Sequence, residues 1–282
     1  MENGCGLAGR ESAAGADARK RGRPKAFYAP ASKGGVQAVT RALDILEALA
    51  AHDGVTLTEL AAFLGQSVAT VHRVLGALGD RRFAELAADR QEWHVGPEAF
   101  RLGSAFLRRH DVIEQSRPAM RELTLCTGET SNLGVERNTA VLFVSQVETT
   151  ETIRAFLPPG TLAPLHASGI GKALLSKFDE GRLSKYLKDC ERLLFSPKTL
   201  VSEEQLRGDL NLTLERGYAF DDEERTVGMR CVAAAIMNIH GEAVAGVSVS
   251  GPTSRLPDKA IPVVGRAVLE AAASISRSLG SR

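Results

Sequence analysis

LTELAAFLGQSVATVHRVLGAL, residues 57–78, decides the reading of the first third of the chain. Thr56 precedes it and Glu59 lies three residues further on, the spacing of a capping box that opens a short helix. Gly65 supplies a turn, and Ser67 is placed to cap a second helix running through GDRR. In that second helix Val71, Leu75 and Leu78 recur at helical spacing and form a buried stripe. Upstream, VQAVTRALDILEALAAH sets Val39, Leu43, Leu46 and Leu49 three or four apart, an amphipathic helix ended by Asp53-Gly54. Downstream, FAELAADRQEWHVG reads as a β-hairpin turned around Ala88-Asp89-Arg90.

Helix, helix, glycine turn, helix and hairpin are the parts of a winged helix-turn-helix. The tight connection lets the third helix project while the first two support it. Ser67, Thr70, His72 and Arg73 are its exposed polar residues, with Arg81 and Arg82 at its end and Arg90 and Gln91 at the hairpin tip. These are the candidate DNA-contacting residues of a domain spanning 35–96.

The rest of the chain has a different texture. Residues 97–127 read as helical, with a linker helix over 97–111 joining the head to a second domain over 112–282. SNLGVE, TAVLFVSQV and TIRAFL alternate as strands, and SGIGKALLSKF starts a helix at a small-residue turn. SEEQLRGDLNLTLERG is a helix stopped by Gly217. RCVAAAIMN and GEAVAGVSVSG pair around His240-Gly241, and DKAIPVVGRAVLEAAASISRSLG closes the chain as a helix. Antiparallel strands with flanking helices define an α+β class.

Composition bounds the function. The chain has 282 residues, 44% hydrophobic and 24% charged, ordinary values for a protein with a real core. No apolar run approaches the roughly 18 residues of a membrane span, and no secretory signal opens the chain, so a cytoplasmic location is expected. Cys5, Cys126, Cys190 and Cys231 form no CxxC pair, so neither a disulfide framework nor a metal site is expected. No cofactor is implied.

The formal net charge is +1, yet residues 1–35 carry seven basic and three acidic groups. Residues 36–95 carry five basic and eight acidic. A net negative head approaching a polyanion needs charge from elsewhere. RKRGRPK (19–25) supplies it. Arg21-Gly22-Arg23-Pro24 resembles the core of an AT-hook, with Arg21 and Arg23 suited to a narrow minor groove. The segment 1–34 is expected to be a disordered basic tail.

RALDILEALA (41–50), LTELAAFLG (57–65), TVHRVLGAL (70–78), PLHASGIGKALL (164–175), ERGYAFDDEE (215–224), GMRCVAAAI (228–236) and VSVSGPTSRL (247–256) together resemble the IclR-type bacterial transcriptional regulators. The resemblance implies a winged helix-turn-helix, a GAF-like effector-binding domain, and dimers assembled as a dimer of dimers on double-stranded DNA. Where such regulators often carry Pro and Lys or Ser at the recognition-helix start, this chain has Gln66-Ser67-Val68-Ala69. Val68 or Ala69 can touch a thymine methyl but cannot hydrogen-bond a base. The resemblance also places an effector against Gly169 and Ile170, with Asp221, Cys231, Ser248 and Ser250 around it and Met229 in the apolar wall.

Ser248 and Ser250 lie two apart on a strand and share a face. With the N–H groups at SGIGK, they would hold a small carboxylic acid without any arginine. Glyoxylate or pyruvate fits best, with an aromatic acid as alternative. Asp222, Glu223 and Glu224 read as a solvated loop. A cysteine-dependent enzyme is the reading from another class, because Cys231 follows Arg230 and His166 lies in HAS. It needs Cys and His within hydrogen-bonding reach, and the chain is expected not to be an enzyme.

Overall fold

The computed structural model describes residues 37–108 and 111–281. The basic tail, with Arg21 and Arg23, lies outside the described residues. The chain divides into two compact units between Ala99 and Phe100.

The first unit runs α1 (Gln37–Ala50), β1 (Val55–Thr56), α2 (Leu57–Phe63), α3 (Val68–Asp80), β2 (Ala84–Ala87) and β3 (Glu92–Val95). Local chemistry sets its boundaries. Thr56 caps α2 in a reciprocal capping box with Glu59, and the Ser67 hydroxyl caps α3 by accepting from the Thr70 N–H. Gly65 holds the turn between them at φ +59°.

Ile45, Leu49, Leu60, Val71 and Leu75 pack into one core with Val55 and Ala84. Full burial of each large aliphatic group contributes about 1.5–3 kcal/mol. Val39 and Leu43, expected to lie in the α1 stripe, are exposed. The buried line of α1 is Ile45 and Leu49, one turn apart. β1 adds to the hairpin as a third strand in the order β1-β3-β2. Two residues are too few for alternation to reveal.

α4 (Pro97–Arg108) covers most of the expected linker. The second unit continues with α5 (Asp111–Thr127), β4 (Thr130–Arg137), β5 (Ala140–Val147) and β6 (Leu162–Pro164). α6 (Gly169–Leu175), α7 (Glu180–Asp189) and α8 (Glu203–Arg216) follow. β7 (Ala219–Asp222), β8 (Met229–Met237), β9 (Ala243–Pro252) and α9 (Ile261–Ser278) complete it.

The six strands form an antiparallel sheet in the order β6-β5-β4-β9-β8-β7. Val232, Ala234 and Ile236 of β8 join the core made with α5 and α9, while Ala233 joins the core made with α6 and α8. Each strand thus feeds two layers through its period of two. α7 and β7 lie where no element was anticipated.

TIRAFL (152–157) is not a strand. The Phe143 N–H and C=O of β5 are taken by Thr161 and Gly160, so the sheet continues through β6 instead. Residues 154–157 form a strap of irregular backbone, with Ile153 and Phe156 exposed. Gly217 ends α8 at φ +84°, as its position predicts.

Leu75 is fully buried in the head core. Leu75→Ala should cost about 2–5 kcal/mol through the lost transfer energy and the residual cavity. Calorimetric melting should show a lowered head transition, while the second unit's transition stays in place.

Candidate functional site

Two sites emerge, one in each unit. In the head, α3 turns Val71 and Leu75 inward and leaves Ala69, His72, Arg73, Gly76 and Ala77 exposed. His72 and Arg73 are the hydrogen-bonding side chains of that face. Ser67 and Thr70 sit at its N-terminal end with their hydroxyls 2.9 Å apart, engaged with each other.

Arg81 and Arg82 are exposed at the opposite end of α3, about 20 Å away along the axis. Arg82 adopts φ +59° as the chain leaves the helix. Arg90 and Gln91 mark the hairpin tip. Gln91 has φ +55° and its Nε2 donates to the Ala88 carbonyl at 2.9 Å, while Arg90 is exposed with Asp89 3.8 Å away. The expected contact residues therefore form a helix face, a helix end and a wing tip.

In the second unit, a cavity of about 370 Å³ lies at one end of the sheet. Cross-strand pairing puts Asp221 opposite Cys231 and Cys231 opposite Ser250, a row across β7, β8 and β9. All three line the cavity with Met229. Asn132 Nδ2 donates to Ser250 Oγ at 3.4 Å, and the Ser250 hydroxyl acts on the Cys231 thiol. Burial first, and Asp221 next, push the Cys231 thiol up to about 11. Such a thiol is a poor nucleophile near neutrality. His166 lines a different cavity and pairs through Nε2 with the Leu193 carbonyl at 3.0 Å.

Three expected effector residues do not line the cavity. A Cβ at Gly169 would lie 2.6 Å from Cys231 Sγ, so this glycine serves close packing of α6 on β8. Ile170 is fully buried in the apolar core beside Gly246 and Gly134. Ser248 is buried one pleat further along β9, its hydroxyl without a hydrogen-bond partner.

Arginines, which the expected grip by serine hydroxyls and helix N–H groups did not call on, also line the cavity. Arg154 and Phe156 of the strap line it, as do Arg225 and Arg230. Arg225 lies in the turn between β7 and β8 and Arg230 next to Cys231 on β8, a nearness in sequence that could have offered them. Arg154 comes from the misread strap and gave no such signal.

Nor is the acidic run simply solvated. Glu224 is buried, and Asp222 pairs with Lys198 and Arg230 at 2.8 and 2.6 Å. Glu223 binds Lys198 at 2.6 Å and accepts from the Gly228 N–H.

Beneath the cavity, Lys172 of α6 is 0% exposed. Its Nζ meets Glu224 Oε1 at 2.5 Å, Asp209 Oδ2 at 2.9 Å and the Phe220 carbonyl at 2.6 Å. One ammonium faces three carboxylates, counting Asp221, whose charge also acts on Lys172. Burial therefore dominates Glu224 and pushes it up to about 7 despite the pull of Lys172. Burial also raises Asp221, with Lys172 opposing.

Among the described residues, no group of three or more His, Cys, Asp or Glu side chains could hold a metal ion. No helix there is long and apolar enough to cross a membrane.

A helix-turn-helix head and a sheet domain with a half-open cavity lined by both charged and apolar side chains fit the architecture of a ligand-responsive DNA-binding regulator. The model for the bacterial transcriptional regulator IclR C-terminal domain matches residues 104–277, and that for the IclR helix-turn-helix domain matches 38–87. The chain belongs to the IclR family of transcriptional regulators.

It is 50% identical over 267 residues to the HTH-type transcriptional regulator BhcR of Paracoccus denitrificans, covering 94% of this chain and 96% of that one. It is 37% identical over 264 residues to the transcriptional repressor IclR of Escherichia coli, covering 93% and 96%. The crystal structure of Thermotoga maritima IclR superposes with a TM-score of 0.73 at 28% identity, over 86% of this chain and 98% of that one. These relatives are regulators, and the chain is a DNA-binding transcriptional regulator rather than an enzyme.

The buried cluster has a pH signature. The folded protein holds the Glu224 proton more tightly than the unfolded chain, so its contribution favours folding below the ordinary value of 4.5 and is lost as pH rises towards about 7. The raised pKa of Lys172 acts only above 10.5, outside this window. Asp221, also raised by burial, acts in the same sense, and His166, lowered by burial, acts against it. Urea unfolding from pH 5 to 8 should therefore show wild-type stability changing less favourably with rising pH than that of Glu224→Gln.

Proposed function

We propose that this regulator binds a small carboxylic acid, glyoxylate or a pyruvate-like 2-oxo acid, in the cavity of the second unit, and that binding modulates its hold on an operator. One observation carries the reading: a row of Asp221, Cys231 and Ser250 opens into a cavity that arginines also line. Hydroxyl, thiol and carboxylate suit the oxo or hydrated end of such an acid, and guanidinium suits its carboxylate. Gly169, Ile170 and Ser248 shape the packing behind that row.

An aromatic acid is the second reading. The cavity volume falls within the range of pockets that hold drug-sized ligands, and Phe156, Leu157 and Met229 offer apolar wall.

On DNA, α3 would enter the major groove, with Ser67, Thr70, His72 and Arg73 towards the bases. Arg81, Arg82, Arg90 and Gln91 would meet phosphate or the minor groove, and Arg21 and Arg23 a narrow minor groove beside it. Two heads of a homodimer would read half-sites about one helical turn apart or a multiple of it. Dimers would pair into tetramers, and the helical stretch 97–127 would couple ligand to head. A cytoplasmic location accords with this role.

Calorimetric titration with glyoxylate, pyruvate and benzoate, followed by gel shifts with the best binder, tests the effector reading. Asp221→Asn and Ser250→Ala should each weaken binding by about 1–2 kcal/mol. An effector reading without substance would show no acid bound and no change in the shifted fraction. For the tail, deleting residues 1–25 should reduce the salt slope of operator binding by about 0.9 for each phosphate that the tail neutralises. An unchanged slope would remove the tail from the interface.

A further inference from the structure

Arginines 154, 225 and 230 line the effector cavity, and two of them are already committed. Arg154 donates through Nε to Glu148 at 2.7 Å. Arg230 binds Asp222 at 2.6 Å, Asp258 at 2.8 Å and the Leu256 carbonyl at 2.8 Å. Arg225 makes no hydrogen bond or ion pair with any described residue. It is half-buried, and burial lowers its pKa, with only the field of Asp221 opposing.

The acids beside it in sequence cannot serve it. Asp222 and Glu223 are held by Lys198 and Arg230, and Glu224 by Lys172. A half-buried guanidinium whose only opposing charge, Asp221, also acts on Lys172 is incompletely compensated, and the arrival of an anion offsets that penalty. Its backbone is fixed in advance. The preceding carbonyl of Glu224 accepts from Ser196 Oγ and Thr199 Oγ1, and the Glu224 N–H donates to Asp221 Oδ1 at 2.8 Å.

We propose that Arg225 is the carboxylate receptor of the effector site, and that with Asp221 it selects acids bearing an O–H donor beside the carboxylate. The inference rests on the effector reading above. Arg225 takes the carboxylate through its planar fork. Asp221, an acceptor when ionised, takes the hydroxyl of a 2-hydroxy acid or of a hydrated 2-oxo acid. An acid without that hydroxyl leaves Asp221 with no donor beyond the Glu224 N–H. An amide of the same shape leaves Arg225 in that state.

The test compares glycolate with glycolamide, and lactate with lactamide, by calorimetry on the full chain. The wild type should prefer each acid over its amide by at least about tenfold, the worth of a charge-assisted contact. In Arg225→Gln the preference should collapse to within about threefold, with amide affinity retained. Arg225→Lys should keep part of it, as a point charge without the fork.

An Arg225→Gln protein that still prefers the acids as the wild type does would overturn the assignment and leave the effector reading standing. The assignment also falls, and the effector reading stands, if glyoxylate or pyruvate binds the wild type but neither hydroxy acid does. Wild-type protein that binds no acid at all overturns both. If the Gln variant binds neither compound of a pair, the Lys variant decides: a retained acid preference supports the assignment, and failure to bind either compound marks a structural role and overturns it.

Discussion

A fully buried ammonium holds the effector unit together. Lys172 on α6 must be neutralised where it sits, and its partners come from α8, from the end of β7 and from the turn after it. Removing the ammonium from such a buried arrangement would cost about 3–5 kcal/mol, because its carboxylate partners would be left without compensation. The turn after β7 therefore has little freedom. Glu224 is held through its side chain, its N–H and its carbonyl at once. The cavity wall that carries Asp221 and Arg225 is preorganised as a consequence, and a preorganised wall loses less binding energy to its own ordering.

The same network explains how one small cavity keeps opposite charges apart. Asp222 is shared between Lys198 and Arg230, and Glu223 is pinned by Lys198 and the Gly228 N–H. Arg255 reaches buried Glu129 at 2.9 Å and the Ile153 carbonyl at 2.7 Å, securing the root of the strap that carries Arg154 and Phe156. The Arg225 guanidinium, the Asp221 carboxylate and Ser250 line the cavity. The head shows the opposite pattern. Its reading face is mostly small and apolar, so His72 and Arg73 carry the hydrogen-bonding capacity there.

Local rules made much of this legible. The capping box at Thr56 and Glu59, the Ser67 cap and the Gly217 stop each act within a few residues, and each appears where the sequence puts it. The Asp221, Cys231 and Ser250 row was legible through motif resemblance, since no local rule brings three strands into register. What failed was non-local. Alternation in TIRAFL could not reveal that β5 already had its neighbour. The close approach of Gly169 to Cys231 likewise carries no local signal. Glu224 reads as one more solvated acid in sequence, and only the fold buries it against Lys172, 52 residues away. Arg225 is distinctive only because every neighbouring acid is engaged elsewhere.

If acid and operator are coupled through one chain, as proposed, the coupling is reciprocal. The most direct measurement is the affinity of the effector acid for the free protein and for the protein saturated with operator DNA. Reciprocal coupling makes the two affinities differ, by the same factor by which the acid changes operator affinity. Equal affinities in the two states would contradict it.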